Sequence, residues 1–150
     1  SYVKGVTSAI QTQLNVSGYL FRAVASTAAT LNASTTYKII NNSTSWSSAA
    51  SDTRMRHLCM RSGTAIDVNF NYNCVASSAQ NSTLRIVNVT TSTNVNIITT
   101  LAFSTATANN QYQNISFSYT KGDVIELQVI TGAFTTAPTS VTASFEVYFR

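Results

Sequence analysis

The run IDVNFNYNCV, residues 66–75, limits the fold more than any other stretch of the chain. Ile66, Val68, Phe70, Tyr72 and Cys74 alternate with Asp67, Asn69, Asn71 and Asn73. Strand side chains point to opposite faces in turn, whereas helical ones recur roughly every 3.6 residues. Strict alternation therefore predicts a half-buried antiparallel strand with its asparagines outward. The period recurs in QNISFSY, with Ile115, Phe117 and Tyr119 inward, and in VIELQVIT, with Ile125, Leu127 and Val129 set against Glu126 and Gln128. It recurs again in VTASFEVYFR, where Val141, Ala143, Phe145, Val147 and Phe149 share a face. That last strand is long and apolar, so it belongs inside a sheet and not at an edge. Less regular strands are YLFRAVA, TYKIIN, RMRHLCMR, TLRIVNV and VNIITTLAF. Turn-rich stretches separate them, including NNSTSWSSAASD, SGTA, TKGD and TGAFTTAPTS. About nine strands and no interrupting helix predict an all-β antiparallel sandwich or jelly roll.

The opening residues differ. Val3, Val6, Ile10 and Leu14 recur at spacings of three and four, one apolar stripe on a helix. So short a helix is marginal alone in water. The stripe makes sense buried against copies of itself, as in a coiled coil. A helix packed on its own sandwich and an extended tail are the other options. The chain divides into a stalk or trimerisation helix at 1–17 and a β-sandwich head at 18–150, joined at NVSG. It starts at Ser1 without a secretory leader and is expected to be cut from a longer protein. No apolar run reaches the roughly 18 residues of a membrane span, so no membrane insertion is expected.

Ser, Thr and Asn make up 57 of the 150 residues and charged residues only 9%, so uncharged polar groups must cover the surface. The net charge is +4, and a nucleic-acid binder would gather it in one place. The one cluster is RMRHLCMR, Arg54 to Arg61, which reads as a charged edge, a subunit contact, or a phosphate or sialic-acid site. No nucleic-acid partner is expected. Two cysteines and one histidine cannot complete a zinc site in one subunit. A disulfide is possible, but a hairpin across SGTA would hold Cys59 and Cys74 on the order of 17 Å apart, which favours two buried thiols. No metal and no cofactor are expected.

Catalysis is not expected either. Glycoside hydrolysis usually needs two carboxylates close together. The five acids are Asp52, Asp67, Asp123, Glu126 and Glu146; only Glu126 and Glu146 would approach each other, and only if their strands paired. His57 is the single imidazole, and no GxSxG elbow or Gly-rich phosphate loop occurs. For binding, Trp46 sits in a polar loop where its ring could stack on a sugar, with Asn41 and Asn42 supplying hydrogen bonds. It could equally fold back to plug one end of the barrel. Phe134, at the tip of TGAFTTAPTS, offers the same two alternatives.

The segment YVKGVTSAIQTQLN resembles one found in bacteriophage tail-fibre and related viral structural proteins, often directly before a head domain. KGDVIELQV and the terminal FEVYF resemble strands of the trimeric heads of the tumour-necrosis-factor and complement-head group. The resemblance implies a homotrimeric jelly roll at the tip of a viral or phage fibre, located on the virion and adhering to a host-surface glycan or protein receptor. The alternatives are a purely structural virion part, such as a capsid decoration or trimerisation knob, and a tail-associated polysaccharide depolymerase.

Overall fold

The computed structural model describes residues 18–39, 45–54, 56–75, 81–103 and 107–150. The stripe Val3, Val6, Ile10, Leu14 lies outside the described residues, as do Asn41 and Asn42. Ten strands are present among them: β1 Tyr19–Ala29, β2 Thr36–Ile39, β3 Trp46–Ser47, β4 His57–Leu58, β5 Gly63–Val75, β6 Asn81–Asn88, β7 Thr93–Ala102, β8 Thr107–Tyr119, β9 Val124–Ile130 and β10 Thr139–Phe149.

Two antiparallel sheets form a sandwich. One has the order β1-β10-β5-β8; the other runs β3-β2-β9-β6-β7, with β4 also on β9. The partners are nested: β1 with β10, β2 with β9, β5 with β8, β6 with β7. Such nesting is a long antiparallel ribbon rolled up, which is a jelly roll. β10 lies between β1 and β5, in the interior position its apolar face requires.

Alternation along the strands fills the space between the sheets. Ile66, Val68, Phe70, Tyr72 and Cys74 are buried, and so are Val141, Ala143, Phe145, Val147 and Phe149. Phe70 and Phe145 pack at 4.6 Å between ring centroids, and Tyr72 meets Phe103 edge-on at 4.8 Å. Each such fully buried ring contributes about 2–3 kcal/mol.

Sequence expectations change at three places: the RMRHLCMR strand, the SGTA hairpin and the exposure of Glu126 and Gln128. RMRHLCMR is not a continuous strand: only His57–Leu58 pairs, with Ile125 and Val124 of β9. Its partner is therefore in the opposite sheet from β5, and the hairpin across SGTA does not form. Cys59 and Cys74 are nevertheless both buried and form no disulfide. Glu126 and Gln128 point away from the core as read, yet they are buried too, beneath long cationic side chains. Finally, Glu126 and Glu146 stand on strands of different sheets and make no carboxylate pair.

The sandwich has two unlike ends. Tyr19 pairs with Phe149, and the Arg150 amide donates to the Ala65 carbonyl, so both ends of the described chain meet there. The β8–β9 turn closes the same end: Gly122, at φ 94°, takes a left-handed conformation that costs glycine little, and its amide donates to the Cys59 carbonyl at 2.9 Å. The β1–β2 and β9–β10 loops form the opposite, distal end.

Candidate binding surface

The two distal loops are laced together. The Leu31 amide donates to the Pro138 carbonyl and the Ser34 amide to the Gly132 carbonyl, at 3.1 and 2.9 Å. Thr131 is the central link. Its hydroxyl donates to the Asn32 carbonyl at 2.6 Å, with the Thr35 carbonyl at 3.0 Å, and accepts the Thr35 amide at 2.9 Å. Leu31 is fully buried and anchors the loop from below. Ser34 and Ser140 hold left-handed backbone, φ 50° and 54°, at this end of the molecule. Non-glycine residues keep such values only where the surroundings enforce them.

Both aromatic candidates from the sequence turn inward. Trp46 lies in β3, half-buried, its indole edge-on to Tyr37 with ring centroids 6.1 Å apart. Its Nε1–H donates to the Val141 carbonyl at 3.1 Å, across the sandwich. That carbonyl lies where the registers of β10 with both β1 and β5 shift. Phe134 is half-buried at the distal end and meets Phe103 edge-on at 6.5 Å.

A candidate site that sequence reasoning passes over lies on the outer face of the β1-β10-β5-β8 sheet. There, side chains stand in cross-strand rows. Val24, Ser144, Asn71 and Asn109 make one row, and Thr142, Asn73 and Thr107 the next toward the distal end. Strands about 4.8 Å apart and rows about 7 Å apart set the spacing. Together with Arg22 and Ser26 these residues line an open hollow of about 410 Å³. Among the described residues, the amides of Asn71, Asn73 and Asn109 meet no hydrogen-bonding partner, so donors and acceptors stand ready for a polar ligand. The charge of Arg22 is answered by Glu146 at 3.4 Å, which leaves the hollow near neutral. The available signal was the alternation Asn69, Asn71, Asn73 itself: it places a ladder of amides on one exposed face.

Nearer the chain ends the same face becomes apolar. Leu20 and Tyr148, cross-strand partners, are 60% and 39% exposed. Gly18 packs against the Tyr148 ring so closely that a Cβ would lie 2.6 Å from it.

Cys59, Cys74, His57 and Asp123 are packed into the fold. Burial pushes the Cys59 and Cys74 thiols up. His57 stacks on Phe21 at 4.3 Å between centroids, with Tyr19 and Phe149 beside it. Its Nε2 is buried without a partner, and burial pulls its pKa below the ordinary value. Asp123 accepts from Asn88 Nδ2 and from the Thr120 amide, bracing the β8–β9 turn.

No protein-family model matches the chain, and no curated protein matches it in sequence. Solved structures do match its fold. The VP2 protein of the infectious bursal disease virus subviral particle is similar over 91% of this chain and 34% of its own, at 10% identity and TM-score 0.52. This chain thus spans about a third of that protein. The globular domain of zebrafish complement 1qA protein is similar over 87% of this chain and 95% of its own, at 11% identity and TM-score 0.48. The protein FLHE is similar over 90% and 99%, at 10% identity and TM-score 0.44. At these identities the likeness is one of fold.

Proposed function

We propose that the chain is a virion-surface head domain that adheres to a host-surface glycan as a homotrimer, without catalysis. One observation carries the proposal: both described chain ends meet at one end of the jelly roll, while laced loops and an unfilled row of amides and hydroxyls lie toward the other. A stalk at 1–17 would attach at the first end and leave the second free to meet a cell. The hollow suits a neutral sugar, whose hydroxyls both donate and accept. Leu20 and Tyr148, the exposed apolar pair at the first end, are the side chains for copies of the head to bury against each other. Three weak sites on one rigid body gain through effective concentration.

The test has two parts. Light scattering on residues 1–150, on 18–150 and on a Leu20→Ser, Tyr148→Ser double variant gives the assembly state. A trimer that the double variant dissociates is expected; a monomer for residues 1–150 would end the fibre-head proposal. A glycan array with Asn73→Ala beside the parent tests the hollow. Binding lost in the variant is expected, and binding kept would move the receptor site to the distal loops.

A structural virion part is the second reading. The VP2 fold match favours it, because that protein belongs to a viral particle. The absence of adhesion by the trimer to any host surface would select it.

A further inference from the structure

The outer face of the other sheet carries a charged cluster that the adhesion proposal does not use. Glu126 and Gln128 stand on that face of β9, and three cations surround them. Lys38 of β2 and Arg85 of β6 are both in register with Gln128, one on each side. Arg56 enters from the residue before β4. Arg85 Nε donates to Gln128 Oε1 at 2.7 Å, and Gln128 Nε2 donates to Glu126 Oε2 at 2.9 Å. Lys38 Nζ lies 3.2 Å from Glu126 Oε2, and Arg56 Nε donates to Glu126 Oε1 at 3.0 Å.

The charges do not balance. Arg22, Arg54 and Arg150 each face one carboxylate, on Glu146, Asp52 and Asp67. Here Lys38 and Arg56 already answer Glu126, and Arg85 meets only an amide. A buried carboxylate needs partners, but it does not need a third cation. Three positive groups against one negative leave a surplus of two, half of the chain's formal +4. The neighbouring outward residues, Val87, Asn94 and Asn96, are uncharged.

Both arginines are held side-on. Each uses Nε internally, and among the described residues the terminal nitrogens of both guanidinium groups have no hydrogen-bonding partner. The Arg56 side chain is 37% exposed, so its fork reaches solvent. A guanidinium fixed at Nε, with its paired terminal N–H groups facing out, matches the geometry of a carboxylate or sulfate. Glu126 does not compete for them, because three donors already occupy its oxygens.

We propose that Arg56 and Arg85, backed by the charge of Lys38, form an oxyanion site for an acidic sugar, distinct from the neutral hollow on the opposite face. The oxyanion is a carboxylate, as in a sialylated glycan, or a sulfate ester. The test titrates residues 1–150 with sialyllactose, with sulfated lactosamine and with plain lactose, reading the Nε–Hε NMR signals of the arginines. Shifts at Arg56 and Arg85 with at least one acidic sugar and none with lactose are expected; which sugar acts identifies the source of the oxyanion. Affinity should fall about threefold or more between about 50 and 300 mM salt. Arg85→Gln, which can still bond Gln128, should weaken binding about tenfold with the melting temperature little changed. Arg54→Gln, whose charge Asp52 already neutralises, should leave it intact. Silence of both arginines toward both acidic sugars, or equal affinity in Arg85→Gln, would overturn the site. Host-cell adhesion separates the two proposals: arginines silent toward both acidic sugars in a trimer that still adheres to host cells leave the head function standing and remove only this site.

Discussion

Replacing Thr131 by valine tests whether the distal loops are one braced unit. Valine keeps the shape but removes the hydroxyl. Two hydrogen bonds go, to the Asn32 carbonyl and from the Thr35 amide, while the backbone bond from the Thr131 amide to the Thr35 carbonyl at 2.9 Å stays. Each neutral bond is worth about 1 kcal/mol net, and a half-buried amide left without a partner adds up to about another 1 kcal/mol. Thr131 is only 3% exposed, so water cannot replace the hydroxyl at its own position. The expected loss is about 2–3 kcal/mol, or roughly 5–10 °C in melting temperature for a domain of this size. Thr131→Ser keeps the hydroxyl and loses one methyl group, about 1 kcal/mol. Urea denaturation followed by circular dichroism gives the three stabilities. Hydrogen exchange at the Ser34 amide, bonded to the Gly132 carbonyl, should quicken at least tenfold in the valine variant alone. A valine variant as stable as the parent, or more stable than the serine variant, would refute the bracing role of this hydroxyl.

Trp46→Phe keeps an aromatic ring against Tyr37 but leaves the Val141 carbonyl without its indole donor, so urea denaturation should show a loss of about 1 kcal/mol. His57 has its pKa lowered by burial, so the unfolded chain takes the proton first as pH falls; stability is full above the ordinary pKa near about 6.5 and declines below it until the folded-state pKa is passed. Melting temperatures between about pH 7 and 5 should therefore drop in the parent and stay flatter in His57→Phe. Burial pushes both thiols up, so iodoacetamide at mildly alkaline pH should label Cys59 and Cys74 only after urea unfolds the chain; rapid labelling of the native protein would contradict the packing.

The strands that were legible in the sequence are those whose burial depends on their own alternation. β5 and β10 place every second side chain in one core, so a local pattern suffices to read them. β9 was legible only on its inner face. Glu126 and Gln128 look like solvent residues because the groups that cover them, Lys38, Arg56 and Arg85, come from three other places in the chain. Their meeting depends on the registers of β2, β4 and β6 with β9, which no local period encodes. RMRHLCMR misled for the same reason: its composition suits a strand, but Arg56 is drawn to a carboxylate 70 positions away, and just two residues reach the ladder.

The candidate site divides in the same way. Trp46 stood out because its neighbours are polar, yet what decides its orientation is a carbonyl on β10 at a register shift, 95 positions later. Polarity of the surrounding loop carries no information about such a partner. Asn71 and Asn73, by contrast, read as outward from their alternation and are outward, but an exposed asparagine is ordinary and does not by itself mark a ligand site. They become a site only when Ser144 and Thr142 line up beside them on one flank and Asn109 and Thr107 on the other. A row of three amides and hydroxyls is a property of three strands in register. If Asn73→Ala abolishes glycan binding while Trp46→Phe lowers only stability, the receptor face is the flat ladder, and the aromatic that looked like a sugar platform is a clamp between the two sheets.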